Sequence, residues 1–143
     1  MPWHPIFIHY PIALLTTAVL VDAAALLCRR ETWHRVAYAL LVAGTVGAAA
    51  SVVSGNADAD GYRQTEIAAA IQDHEDLGTA TFLLFLVMVL GQLPGILRPQ
   101  AESRRWVWVV PGAVGLVLLY MTSYHGGALV FGEGVGVVPA SPD

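Results

Sequence analysis

Four long apolar segments restrict what this chain can fold into. An α-helix needs about 20 predominantly apolar residues to cross the roughly 30 Å hydrocarbon core of a bilayer. Inside lipid, only helices and closed barrels satisfy their own backbone hydrogen bonds. The pattern therefore predicts an all-α membrane protein, a single domain built as a four-transmembrane-helix bundle. The expected spans are residues 6–27, 36–53, 77–93 and 106–124, followed by a glycine-rich tail at 125–143.

The composition agrees with this class and argues against others. Of the 143 residues, 56% are hydrophobic and 13% are charged, and the formal net charge of −4 does not favour nucleic acid as a partner. Cys28 is the single cysteine, so we expect no internal disulfide, C-x-x-C pair or thiolate metal cluster. A secretory signal begins with a basic segment, but no Lys or Arg precedes Arg29. We therefore expect the first helix to be retained.

The arginines predict how the bundle is oriented, because Lys and Arg accumulate in cytoplasmic loops. Arg63 alone lies in the loop after the second span. The other basic residues lie in the loops after the first and third spans, and they are Arg29, Arg30, Arg35, Arg98, Arg104 and Arg105. We expect a multi-pass protein of the bacterial inner membrane with both termini on the periplasmic side.

Four of the five histidines are predicted to meet at the periplasmic end of this bundle. His4 and His9 begin the first span, His74 begins the third, and His125 ends the fourth. Ionisable groups in membrane helices usually face the bundle interior, a cavity or a cofactor. This end is the predicted site. His34, in the first loop, is expected to be solvated or at the level of the lipid headgroups, and we assign it no function.

Two imidazoles on facing helices can ligate a haem iron across an apolar slot. We predict that His9 and His74 are the metal ligands of haem b, because each heads a stripe of small and apolar residues at helical spacing. Arginine and tyrosine side chains near the water would hold the haem propionates. The other candidate cofactor-binding residues are therefore His4, His125, Arg63 and Tyr10.

Two other interpretations of the histidines stay open. Each histidine can be interfacial, hydrogen-bonded and purely structural. Alternatively, His9, His74 and His125 form a compact divalent-metal site together with Asp58 or Asp73, since imidazole and carboxylate ligands suit Zn, Fe or Cu.

Small residues recur at four-residue spacing on the second span. They are Gly47, Ser51 and Gly55, with Gly44 and Ala48 beside them. Faces of this kind allow helices to pack closely, and they also leave room for a flat cofactor. Both interpretations are compatible with the pattern.

Asp22 lies within the first span and points nearly opposite to His9 at 100° per residue. We expect it to pair with an arginine of the first loop, and a role in a proton relay is the alternative.

The span ends carry two further predictions. Tryptophans there are expected to anchor the protein at the membrane interface, and they are Trp3, Trp33, Trp106 and Trp108. Gly126 and Gly127 are expected to end the fourth helix, after which the tail folds back over the periplasmic mouth of the bundle.

The opening motif HPIFIHYPIALL (4–15), Asp22, the G-x-x-D of residues 55–58, His74 and the closing motif GGALVFGEGVGV (126–137) occur in this order. Together they resemble the small bacterial four-span membrane proteins called the domain of unknown function 2231 family. The resemblance covers nearly the whole chain and implies a four-helix membrane fold. It also suggests redox work, because in that family the domain is sometimes fused to or neighbours c-type cytochrome modules.

The resemblance carries over to individual residues only in part. His4, His9 and His74 match the histidines of the family. The closing motif of the family usually has a histidine before Gly-Val-Gly-Val, where this chain has Glu133. His125 is not part of the family pattern.

These observations predict a membrane-embedded, b-type haem-binding electron-transfer subunit that is not itself an enzyme. Its partners would be other membrane or periplasmic redox subunits, including a c-type cytochrome, or a second copy of the chain. The alternatives are a cofactor-free anchor or assembly subunit of a larger complex, and a divalent-metal-binding or transport element.

Overall fold

The computed structural model describes residues 4–98 and 105–137, and these stretches are helical with short connections. Two short 3₁₀ turns, Asp60–Tyr62 and Arg105–Trp108, adjoin the helices. The α-helices are α1 (His4–Phe7), α2 (His9–Cys28), α3 (Glu31–Ala59), α4 (Ala68–Leu97) and α5 (Val109–Phe131). No strand occurs in the described stretches. Helices α2 to α5 are long and apolar enough to cross a membrane, so the predicted four-span helical fold is confirmed.

The bundle has two ends that differ in their polar residues. We call one the histidine end, where His4 of α1 packs on the last turns of α3 and His74 of α4 packs on α5. We call the other the arginine end, where Arg29 and Arg30 join α2 to α3 and where Arg98 and Arg105 lie. Arg29 adopts a left-handed conformation with φ 51°, and the backbone N–H of Arg30 donates to the carbonyl of Ala25. The resulting short connection makes α2 and α3 neighbours.

Proline explains why the first span is divided into α1 and α2. Pro11 has no N–H and therefore cannot donate to the carbonyl four residues earlier. The interruption falls at Ile8, just before His9, although Ile8 keeps helical dihedrals. Pro11 is buried and packs against Gly47 of α3, where an added Cβ would lie 3.2 Å from its Cδ.

The small-residue face of α3 is filled by side chains of α1 and α2. Leu15 is fully buried against Gly44, where an added Cβ would lie 2.7 Å from the leucine Cγ. In the same way, Phe85 of α4 is fully buried against Gly115 of α5. Close helix packing is therefore what this small-residue face provides.

Three helices extend beyond the predicted spans. Helix α3 continues to Ala59, α4 already begins at Ala68, and α5 runs to Phe131. Gly126 and Gly127 lie inside α5, so the prediction that they end the helix is wrong. The reason is that Gly126 serves helix packing, because the His74 ring occupies the space that a side chain would take.

The described part of the tail returns to the histidine end. Val135 packs beside a small apolar cluster formed by Ala59, Ile71 and Leu129, and the N–H of Gly136 donates to the Tyr62 hydroxyl at 3.2 Å. Residues 138–143 lie outside the described stretches. Trp33 and Trp106 are exposed as expected for interfacial anchors, whereas Trp3 also falls outside the described residues.

A Gly44→Val substitution tests the packing of α2 on α3. The added side chain would collide with Leu15, and overpacking of this kind typically costs about 1–3 kcal/mol. We expect a loss of that size in unfolding free energy, measured by SDS titration in mixed micelles. Ala39→Val on an exposed position of the same helix is the matched control and should change stability by less than about 0.5 kcal/mol. Equal effects would contradict the packing described here.

Candidate functional site

His4 is held against α3 by its backbone and its ring. Its N–H donates to Asp58 Oδ2 at 3.3 Å, and its Nδ1 lies 2.8 Å from the carbonyl oxygen of Ser51. The ring lies over Gly55, where an added Cβ would be 3.1 Å from Cε1. If Nδ1 carries the proton and donates to Ser51, Nε2 is the nitrogen left to accept a proton or bind a metal.

His74 lies at the same end of the bundle, in the second turn of α4. Its ring packs over Gly126 of α5, where an added Cβ would be 2.9 Å from Cε1. Its Nδ1 is buried and has no hydrogen-bond partner among the described residues. A buried polar atom without a partner costs roughly 1–3 kcal/mol, so such atoms are rare and call for an explanation.

The structure brings His4 and His74 together. Their ring centroids are 5.9 Å apart, and the ring planes are inclined by 78°. Both residues line a cavity of about 90 Å³ between the helices. The other polar residues of its wall are Ser51, Asn56, Glu75, Thr81, Thr122 and Ser123. A pair of imidazoles therefore borders a small cavity at the histidine end, and nearly all of the surface of this cavity is apolar.

His9 is not part of this pair, although the sequence favoured it. Its side chain is exposed on α2 and does not line the cavity. The other members of its predicted stripe, Ala13, Thr16 and Leu20, are also wholly or partly exposed. The stripe of α2 that starts at His9 therefore lies at the surface of the bundle, where Thr16 hydrogen-bonds to Tyr120 of α5. Tyr10 is exposed as well.

The residue pattern contains a signal that identifies His4 instead. The residues of the first span that face the bundle interior recur every three or four positions, and they are Pro11, Leu15, Ala18 and Ala25. Extending this spacing backwards leads through Ile8 to His4, and both line the cavity. Asp22 lies on the same stripe. Since an intramembrane carboxylate avoids lipid, Asp22 could have identified the inward face from the sequence alone.

His125 and Arg63 lie at the histidine end but have other contacts. The ring of His125 packs edge-on against Tyr124, with centroids 6.1 Å apart. Arg63 binds Asp60 at 2.9 Å and Glu75 at 3.4 Å. The hydrogen bond to Asp60 and, to a smaller extent, the charge of Glu75 raise the pKa of Arg63. The guanidinium therefore stays charged and is held by these two carboxylates.

Within residues 4–98 and 105–137, no group of three or more His, Cys, Asp or Glu side chains is arranged to hold a metal ion. The predicted metal site of three histidines and a carboxylate is therefore not formed by the described residues. The His4–His74 pair supplies two imidazoles, and further ligands would have to be water or groups from a partner.

A second polar pair lies at the arginine end. His34 Nδ1 is 2.6 Å from Asp22 Oδ1, and His34 is only 7% exposed. The expectation that His34 is solvated is wrong, because the helix α3 already begins at Glu31 and turns His34 inwards. Asp22 binds this histidine rather than the arginines of the first loop. A separate ion pair at this end joins the Arg105 guanidinium to Glu31 Oε1 at 2.6 Å.

The fold and the two buried polar pairs define a four-helix membrane protein with one ionisable pair near each end of the bundle. The family model "Predicted membrane protein (DUF2231)" matches residues 1–139, so the chain belongs to this family. No curated protein and no solved structure matches the chain significantly. The description of the family is that of a membrane protein.

A Gly126→Ala substitution should displace the His74 ring, because the new Cβ would lie 2.9 Å from its Cε1. The measurement is a histidine-selective ¹H–¹³C NMR spectrum, with the Cε1–H signal of His74 assigned from a His74→Gln variant. Gly127→Ala is the matched control, since an added Cβ there meets no heavy atom within 4 Å. If both variants shift the His74 signal equally, the described contact is wrong.

Proposed function

We propose that this protein is a metal-binding membrane subunit in which His4 and His74 ligate one transition-metal ion. The observation that carries the proposal is the buried Nδ1 of His74, which has no hydrogen-bond partner among the described residues and belongs to a ring next to that of His4. A metal ion would satisfy this nitrogen. Neutral imidazole is a common ligand of Zn, Cu and Fe.

The surroundings of the two rings support metal binding. A hydrogen bond from the second ring nitrogen to a carbonyl commonly orients a metal-ligating histidine, and Ser51 is placed to provide this for His4. Two metal–nitrogen bonds of about 2.0–2.1 Å account for roughly 4 Å between two ligating atoms. The centroid separation of 5.9 Å therefore keeps the two rings within the reach of one ion.

Haem b, the cofactor expected from the sequence, fits this pair less well than a bare ion. A porphyrin must lie flat between its two axial ligands, and pockets for organic ligands usually exceed about 300 Å³. The cavity beside His4 and His74 is about 90 Å³. The space in this chain suits an ion with one or two water molecules, and haem is the competing outcome of the test below.

The bound ion would decide the role of the subunit. Copper or iron would exchange single electrons with a periplasmic redox partner such as a c-type cytochrome, as expected from the family resemblance. Zinc would not. The protein's own part is to hold two imidazoles, one over Gly55 and one over Gly126. If no metal binds, we conclude that the protein is a cofactor-free anchor.

We also propose that the histidine end faces the periplasm of a bacterial inner membrane. The support is the distribution of arginines, because Arg29, Arg30, Arg35, Arg98 and Arg105 lie at the arginine end or next to it. Positive charge in short loops favours the cytoplasmic side.

Substitution of the ligands tests the metal proposal. We expect about one transition-metal ion per chain by elemental analysis of protein purified in mild detergent. His4→Ala and His74→Ala should each weaken binding of added Cu²⁺ by roughly 100-fold or more, a larger loss than the ~10–100-fold typical of removing only a ligand's hydrogen-bond partner. His9→Ala is the matched control and should bind as the native chain does.

Three results would contradict this assignment. If His9→Ala abolishes binding and His4→Ala does not, the ligands are the pair predicted from the sequence. A sharp b-type signal in the reduced-minus-oxidised spectrum, with stoichiometric haem, would mean that the bound cofactor is haem and not a bare ion. Native protein without metal, haem or affinity for Cu²⁺ and Zn²⁺ would overturn the proposal.

The single thiol of the chain tests the orientation. Cys28 is exposed at the arginine end, so a membrane-impermeant maleimide should label it in inverted vesicles and not in spheroplasts. A Cys28→Ser, Gln64→Cys double variant places the thiol at an exposed position of the histidine end and should give the reverse result. Labelling of Cys28 in spheroplasts would mean that the bundle is inverted.

A further inference from the structure

A second cavity, of about 170 Å³, lies towards the arginine end. Its wall is apolar except for Asp22 and Gln92, with the Trp108 indole on one side. The indole packs over Gly91, where an added Cβ would lie within van der Waals overlap of the ring, so Trp108 forms part of the wall instead of an interfacial anchor. A mostly apolar cavity with a few convergent polar groups is the usual form of a small-molecule site.

Asp22 keeps hydrogen-bonding capacity on the side of this cavity. His34 engages Oδ1, at 2.6 Å, and is itself buried. A carboxylate has two oxygens and can accept about four hydrogen bonds. Asp22 is therefore held in place by His34 while it can still accept a hydrogen bond from a ligand that lies in the cavity.

The volume restricts the size of that ligand. An apolar cavity of about 150 Å³ in another protein binds benzene, so about 170 Å³ encloses one six-membered ring and little more. Larger ring substituents must extend out of the cavity past its exposed lining residues. Fused ring systems such as sterols are too large. Phosphodiester and carboxylate groups of lipids present only acceptor oxygens and therefore cannot donate a hydrogen bond to Asp22.

The position of the cavity indicates how a ligand enters. Val109 and Ala113 of α5 line it and are at the same time exposed on the surface of the bundle. The flanks of the four long apolar helices face lipid in a membrane. A ligand that enters past these residues therefore comes from the bilayer and is lipid-soluble.

We propose that this cavity binds the headgroup of a membrane hydroquinone, with one ring hydroxyl donating to Asp22. A hydroquinone is a single six-membered ring, is carried in the lipid phase and has hydroxyl donors, so it meets all three requirements. The amide of Gln92 can bind the ring substituents from the wall. The corresponding quinone has only acceptor oxygens, so Asp22 discriminates in favour of the reduced form.

The test compares the two redox forms of one ligand. Duroquinol and duroquinone are bound anaerobically to the full chain in nanodiscs by equilibrium dialysis, with empty nanodiscs subtracted. We expect duroquinol to bind roughly tenfold or more tightly than duroquinone, since a hydrogen bond to a charged acceptor has about this effect. Asp22→Asn should remove the preference, because an amide both donates and accepts.

Control variants separate this site from the rest of the molecule. Asp73→Asn, which changes an exposed carboxylate at the histidine end, should leave the preference unchanged. Ala113→Leu should reduce binding of both forms by filling the cavity, whereas Ala128→Leu, an exposed position elsewhere on α5, should not. Ala113→Leu also keeps the test informative if Asp22→Asn does not fold.

The outcomes are independent of the metal site. His4→Ala should retain duroquinol binding, so failure of the metal proposal does not affect this result. Equal affinity for duroquinol and duroquinone in the native chain, an unchanged preference in Asp22→Asn, or no saturable binding would each overturn the hydroquinone site.

Discussion

Glycine positions that receive a large side chain from a neighbouring helix hold this bundle together. Between helices in lipid there is little hydrophobic driving force, so association depends on close van der Waals contact and on hydrogen bonds. Most of the described contacts of this kind join different helices. They are Leu15 on Gly44, Pro11 on Gly47, His4 on Gly55, Trp108 on Gly91, Phe85 on Gly115 and His74 on Gly126. The same device therefore packs the core and positions both imidazoles of the candidate metal site.

The two ionisable pairs of this bundle lie towards opposite ends, His4 with His74 and Asp22 with His34. Between them, Leu15, Phe85, Leu41 and Leu119 belong to one buried apolar cluster. Thr45 and Thr81 are buried as well, and each hydroxyl donates to a carbonyl one turn earlier in its own helix. The two ionisable pairs are therefore separate features of the fold.

The architecture could be predicted from the sequence because it depends on segment length and hydropathy alone. The four apolar runs follow from local composition. The small-residue face of α3 was visible in the sequence too, but its close packing was only one of the two interpretations that the pattern allowed. Helix ends were less predictable. Gly126 and Gly127 are typical helix terminators in soluble proteins, but in a membrane bundle Gly126 allows His74 to approach. The role of a glycine therefore depends on what faces it, and one sequence does not contain that information.

The sequence favoured His9 as the partner of His74, whereas the structure places His4 beside His74, and the cause of this difference is rotational register. His4 and His9 lie five positions apart, which places them on clearly different faces of a helix at 100° per residue. The hydrophobic pattern does not distinguish these faces, because lipid-facing and interior positions of the first span are both apolar. An ionisable residue does distinguish them, since it must face a partner inside the protein. Because Asp22 pairs with His34, the stripe of residues that contains Asp22 faces the interior. This stripe leads back to His4, which lines the cavity. In a membrane helix of this composition, one carboxylate is a better guide to the inward face than all of its apolar residues.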